Sequence, residues 1–190
     1  MSVATRLGSM PAPVRMAARA GLMASTTVHR LGHPRSLRCG DDTVVLGWLS
    51  IAGGTRVVLG DRVRVRGRVR IAGGGTLVVG ADTLLNGCWI TATTEVRIGE
   101  RCLVSDCGIT DSDHHNLDPC LRHDPPQPAS RRMVELGDNV WVGAHALVLK
   151  GARIGADSVV GAGAVVRGSV PDGVVVAGNP AEIVKRFRSA

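Results

Sequence analysis

Aliphatic, glycine and small positions recur every six residues along this chain. From Leu136 onward it divides into LGDNVW, VGAHAL, VLKGAR, IGADSV, VGAGAV and VRGSVP without an insertion. The first place is always aliphatic (Leu136, Val142, Val148, Ile154, Val160, Val166) and the fifth is always small (Val140, Ala146, Ala152, Ser158, Ala164, Val170). Glycine holds the second place in four of the six. A helix of 3.6 residues per turn would smear this pattern around its surface, and a plain strand alternating in twos has no use for a turn residue every six. A short strand followed by a turn does need one. Three such units close a triangular coil around a stack of aliphatic side chains, so the predicted fold class is all-β, a parallel β-helix of hexapeptide repeats.

The first half follows the same rule less cleanly. LGDRVR at Leu59 leads to VRGRVR at Val65 and IAGGGT at Ile71, and IGERCL at Ile98 leads to VSDCGI at Val104. The glycines of AGGT (52–55) and AGGGT (72–76) read as turns or short excursions that shift the phase. Counted together, the stretches from about Val44 to Ile109 and from Leu136 to Val170 make five to six coils. Stacked coils cover only their neighbours, so both ends need caps. The expected organisation is a basic, partly helical segment over 1–40, a β-helix over 41–178 with a loop at 111–135, and a GNP turn with a short helix over 179–190. In DRVRVRGRVR, a period of two turns Arg62, Arg64, Arg66, Arg68 and Arg70 away from the core. The plain reading is a solvated outer side; the sharper one is a basic face for phosphates or an anionic glycan.

Composition sharpens the picture. A chain of 190 residues fits one domain. With 25 glycines, one phenylalanine and no tyrosine, its interior is filled by small and β-branched residues. The formal charge of +7 belongs to the leader: residues 1–38 hold six arginines and no acid, and 39–190 hold 17 basic and 16 acidic residues. A nearly neutral body almost without aromatics excludes nucleic acid as the expected partner. Five cysteines at irregular spacing, with no CxxC pair, fit a reducing cytoplasm rather than a disulfide framework. No apolar run reaches the roughly 18 residues of a spanning helix. The acid-free PVRMAARAGLMAS reads as a packing helix, with a transit peptide or a membrane-surface helix left open. An Arg-rich leader also suits peripheral contact with the inner face of a membrane.

Between Thr110 and Leu136 the period stops for DSDHHNLDPCLRHDPPQPASRRMVE. A β-helix tolerates excursions at its corners, where a rigid scaffold can place chemistry. ITDSDHHNLDP, followed by LGDNVWVG and VVGAGAVVRGSVPDGVVVAGNPAEIVKRF, resembles the hexapeptide-repeat O-acetyltransferases that acetylate saccharide hydroxyls, a group containing galactoside and surface-polysaccharide acetyltransferases. The match covers about residues 80–187. The hexads alone are shared by many activities, whereas the D-S-D-x-H loop joined to G-D-N-V-W is more selective.

The resemblance implies a left-handed β-helix, a homotrimer, active sites between protomers, acetyl-CoA as co-substrate and a saccharide or glycan hydroxyl as acceptor, with no metal. It carries the general base over to His115, with His114 as the rival. Imidazole titrates where such a base must work. A neighbouring carboxylate, Asp113 before Asp111, is expected to orient it. Asn86 resembles the family's asparagine near the acetyl group, and also fits a turn asparagine. A backbone N–H of Gly143 or Ala144 is a further candidate for the oxyanion. The resemblance assigns Trp141 to the wall near the pantetheine arm, Ala144, Ala162, Arg167 and Lys185 to the CoA groove, and Gly161 and Gly163 to its shallow floor. Glu182 departs from the basic or small residue common there.

Two rival classes remain. A gamma-type carbonic anhydrase uses a related trimeric coil with zinc on three histidines, and Cys120 with His123 has the spacing of a zinc half-site. That pattern needs a further histidine upstream on the coil, and residues 41–113 contain none. The other rival is a non-catalytic trimeric scaffold, which has no use for a polar loop bearing a base. Serine acetyltransferases carry a substantial helical domain before the coils and lipid A acyltransferases one after them, and neither is expected here.

Overall fold

The computed structural model describes residue 21 and residues 24–188. Six complete coils and part of a seventh stack in order. The first holds β1 (Leu37–Cys39), β2 (Val44–Val45) and β3 (Trp48–Ile51); the second, β4 (Arg56–Leu59), β5 (Arg64–Arg66) and β6 (Arg68–Ala72). The third holds β7 (Thr76–Val79), β8 (Leu84–Asn86) and β9 (Trp89–Thr91); the fourth, β10 (Glu95–Ile98), β11 (Leu103–Ser105) and β12 (Gly108–Thr110). The fifth holds β13 (Val134–Leu136), β14 (Trp141–Val142) and β15 (Leu147–Val148); the sixth, β16 (Arg153–Ile154), β17 (Val159–Val160) and β18 (Val165–Val166). The seventh turn supplies β19 (Ser169–Val170) and β20 (Val174–Ala177), and β21 (Glu182–Arg186) closes the chain. Each strand pairs in parallel with its counterpart one coil on, giving three sheets, one per side of the prism.

The hexad rule becomes the core. In the first sheet Leu59, Val79, Ile98, Leu136, Ile154 and Val170 lie in register through six coils, all buried. The small fifth places Val140, Ala146, Ala152, Ser158 and Ala164 are buried too, where the coil turns and has no room for more. The arginines of 62–70 point outward as expected, with Val63, Val65 and Val69 buried between them. At the corner between the first and second sheets one residue per coil has positive φ: Asp42, Arg62, Asp82, Arg101, Asn139, Asp157 and Gly173. Asp and Asn tolerate this region. Arg62 is held there by a two-point bond to Asp82, Nε to Oδ1 at 2.8 Å and a terminal nitrogen to Oδ2 at 2.6 Å.

Both caps differ from expectation. The solenoid starts at Leu37, inside the segment assigned to the leader, because Leu37, Arg38 and Cys39 alternate in register with Val57, Val58 and Leu59. A helix over 24–32 lies against this first coil. Its Ser25 hydroxyl donates to the Val45 carbonyl at 2.5 Å, and Thr26 Oγ1 accepts the Val45 N–H at 3.1 Å, so hydroxyls satisfy part of the open edge. Most of PVRMAARAGLMAS lies outside the described residues. At the other end, the short helix expected over 179–190 is instead β21, antiparallel to β20. About ten residues make a marginal helix, whereas β20 offers unpaired backbone groups that β-branched Ile183 and Val184 can join. No helix among the described residues is long and apolar enough to cross a membrane.

The corner between the third and first sheets carries the irregular lengths. Residues 52–55, 73–75 and 92–94 turn there in the first three coils, and 111–133 leave from there in the fourth. The loop is two residues shorter than expected, since Val134 and Glu135 already pair with β10.

Candidate active site

The loop is tied at its neck. Ser112 and Arg131 form an isolated antiparallel bridge, Asp113 N–H donates to the Ser130 carbonyl at 3.0 Å, and Arg132 N–H donates to the Asp111 carbonyl at 2.8 Å. The Asp111 side chain is fully buried and accepts five hydrogen bonds from the coil beneath. Oδ1 takes Thr93 N–H at 2.7 Å and the Thr93 hydroxyl at 2.8 Å; Oδ2 takes Thr94 N–H at 2.7 Å, the Thr94 hydroxyl at 2.9 Å and Glu95 N–H at 2.9 Å. Both oxygens are committed, so Asp111 orients a corner and no histidine.

Asn116 organises the loop beyond the neck, a role sequence reading missed because asparagine among prolines gives only a generic turn signal. Its buried amide donates to the Leu121 carbonyl at 2.7 Å and approaches those of Asp124 and Pro125 at 3.2 Å, and its Oδ1 accepts Gln127 N–H at 2.9 Å. Asn116→Ala is expected to raise the rate of limited proteolysis between residues 117 and 129 by about tenfold, the worth of one or two buried hydrogen bonds. The thermal midpoint of the solenoid should hardly move; equal cleavage of both proteins would refute the role.

The two histidines differ. His114 has φ of 65°, its N–H donates to Ser112 Oγ at 3.0 Å, and its Nε2 lies 3.3 Å from Thr110 Oγ1, so its ring is drawn back onto β12. His115 is exposed, and its ring makes no hydrogen bond with the described residues. The expected Asp113–His115 pair is not formed within the chain. Asp113 Oδ2 instead meets Lys150 Nζ at 2.5 Å, and Lys150 also donates to the Ala129 carbonyl at 3.2 Å. Lys150 lies at the same corner one coil on, within reach of the Asp113 carboxylate.

The remaining predicted residues lie elsewhere on the prism. Asn86 ends β8 at the corner of the second and third sheets, where its amide donates to Asp106 Oδ2 at 3.4 Å, consistent with a ladder between coils. Trp141 stands on the outer face of the second sheet, 52% exposed, in register with Leu103 and Val159. The Gly143 N–H is taken by the Val160 carbonyl at 2.8 Å, leaving Ala144 as the backbone donor of the pair. A Cβ on Gly143 would stand 2.9 Å from the Ala162 nitrogen and one on Gly161 3.2 Å from the Val176 oxygen, so coil stacking already requires little or no side chain there. Gly163, at φ 70°, faces open space, and Ala162 beside it is exposed. Arg167 is exposed past β18, and Lys185 on β21 holds its Nζ 5.3 Å from the Phe187 ring centroid.

These positions form two groups. His115 leaves the vertex between the third and first sheets, and in a triangular coil that vertex lies opposite the second sheet, which carries Trp141. Within one copy, the vertex that releases the histidine loop and the sheet that carries the indole lie on opposite sides of the coil. Three cysteines inside the coils offer no thiolate. Burial pushes the Cys88 and Cys102 thiols up and the Cys107 thiol up to about 12, keeping them protonated near neutral pH. Cys120 and His123 are both exposed, and among the described residues no three His, Cys, Asp or Glu side chains converge as a metal ion requires.

Fold and loop together define a hexapeptide-repeat solenoid with a histidine-bearing corner excursion. Residues 133–168 match the family described as bacterial transferase hexapeptide (six repeats). The chain is 38% identical over 109 residues to WbbJ of Escherichia coli K12, named for O-acetyl transfer in lipopolysaccharide biosynthesis, covering 52% of this chain and 54% of WbbJ. It is 33% identical over 97 residues to the galactoside O-acetyltransferase of Lactococcus lactis, covering 51% and 46%. The chain thus spans about half the length of these curated relatives. Among solved structures, the polysialic acid-specific acetyltransferase NeuO matches with a TM-score of 0.56 and 26% identity, over 80% of this chain and 83% of that one. In repeat and in fold the chain resembles hexapeptide-repeat O-acetyltransferases.

Proposed function

We propose that this chain is an acetyl-CoA-dependent O-acetyltransferase acting on a hydroxyl of a saccharide or glycan, in the cytoplasm, as a homotrimer. The observation that carries the reading is the free, exposed His115 ring on a loop otherwise tied down, at the vertex opposite Trp141. A second copy brings one chain's imidazole to another chain's indole. His115 removes the proton as the acceptor oxygen attacks the thioester carbonyl, and the imidazolium returns it to the departing thiolate. The oxyanion between these steps takes hydrogen bonds from Ala144 N–H or the Asn86 amide. The pantetheine arm runs past Gly161, Ala162 and Gly163, with Arg167 and Lys185 as cations for the phosphates. Asp113 acts through Lys150 by holding the neck.

A screen of acetyl-CoA turnover across saccharides, read as thiol release with product mapping, tests the reading alongside sedimentation. A trimer that acetylates at least one sugar hydroxyl is expected. A monomer inactive on every acceptor would overturn it.

A further inference from the structure

The outer face of the third sheet carries a feature that neither the coil stack nor the proposed transfer uses. Of the three tryptophans, Trp48 and Trp89 both stand on it, 68% and 37% exposed. Register places Trp48 beside Arg68, Ser50 beside Arg70, and Arg70 beside Trp89. With adjacent strands about 4.8 Å apart, the two indoles and the two guanidinium groups make one patch about 10 Å tall over three coils. Trp89 lies across Gly108 of the next strand so closely that a Cβ there would come within 2.2 Å of its ring. The glycine thus leaves room for the indole to lie along the sheet.

The patch is cationic without compensation. No strand of the third sheet contains an acidic residue. Arg68 and Arg70 are exposed and make no ion pair or side-chain hydrogen bond with the described residues. Around the corner, Arg66 buries an Nε that has no hydrogen-bond partner. Surface arginines that merely keep a protein soluble need no indole beside each of them. An indole offers an apolar face for the C–H side of a pyranose, and a guanidinium fork binds a carboxylate at two points. A chain of carboxylate-bearing sugars presents both chemistries at once. Nucleic acid fits less well, because a phosphate track asks for many cations and the body outside the leader is nearly neutral.

We propose that the Trp48–Arg68–Arg70–Trp89 face binds an anionic, carboxylate-bearing glycan and so narrows the acceptor class. The inference rests on the glycan-acetyltransferase reading for calling that glycan an acceptor. Binding of polysialic acid to the full chain, followed by tryptophan fluorescence and checked by calorimetry, tests it against neutral dextran and a single-stranded oligodeoxynucleotide. The wild type and His115→Ala should bind polysialic acid equally and dextran not at all. Arg68→Ser/Arg70→Ser should weaken binding by about tenfold or more, as should exposed Trp48→Ala alone, while Arg153→Ser on the first sheet should not. Unchanged binding in the first two variants, equal binding of dextran, or tighter binding of the oligonucleotide would overturn the proposal. So would loss of the oligomer in either variant, which would make this face a contact between copies. Arginine-dependent binding without acetyl transfer would leave the glycan surface standing and remove the proposed activity; transfer without such binding would do the reverse.

Discussion

His115→Ala is expected to lower acetyl transfer by a factor of about 10² to 10⁴, the usual contribution of a positioned general base. The secondary structure, oligomer and acetyl-CoA affinity should stay as in the wild type. The ring is exposed and supports no hydrogen bond of the loop, so its removal leaves no buried group unpaired. His114→Ala makes the contrast. That ring reaches Thr110 Oγ1 at 3.3 Å, and its residue sits at φ 65°, so its loss should disturb the neck rather than the proton transfer. Steady-state rates with a saturating acceptor separate the two. Wild-type turnover in His115→Ala, with collapse in His114→Ala, would move the base by one residue and change the geometry proposed between copies.

The solenoid was legible because its physics is periodic. Leu136 pairs with Ile154 eighteen residues on, three whole hexads, so the pattern from Leu136 onward maps directly onto a coil. The first half was harder because Leu59 pairs with Val79 twenty residues on and Val79 with Ile98 nineteen on: both coils gain two residues at the third–first corner, and the third coil loses one between Asn86 and Trp89. The loop was visible as a break in rhythm, but its internal wiring was not. Lys150 occupies an ordinary hexad place, and nothing local connects it with Asp113. Asp111 and Asp113 look alike in DSDHH, yet one is buried over Thr93 and Thr94 and the other faces a lysine. Two residues apart, they leave the coil in different directions, which only the neck geometry decides. The C-terminal strand was missed for a related reason: its pairing partner is an open sheet edge, a property of the assembled stack rather than of the residues from Glu182 to Arg186.

Asp111 carries the second large effect, on stability rather than turnover. Asp111→Ala should destabilise the folded chain by about 3–5 kcal/mol, because three backbone N–H groups lose a charged acceptor in a closed corner. The Thr93 and Thr94 hydroxyls can rotate to other acceptors, whereas the N–H groups of Thr93, Thr94 and Glu95 cannot. Asp111→Asn sharpens the argument. Its single oxygen can serve one side of the corner, while its NH₂ faces donors on the other, so it should recover only part of the loss. Urea unfolding followed by far-UV circular dichroism checks the order wild type, asparagine, alanine. An asparagine variant as stable as the wild type but slow in turnover would show that the carboxylate serves the imidazole after all. The five-bond clamp predicts the opposite outcome, since stability falls first and any loss of rate follows from a loop whose neck has come loose.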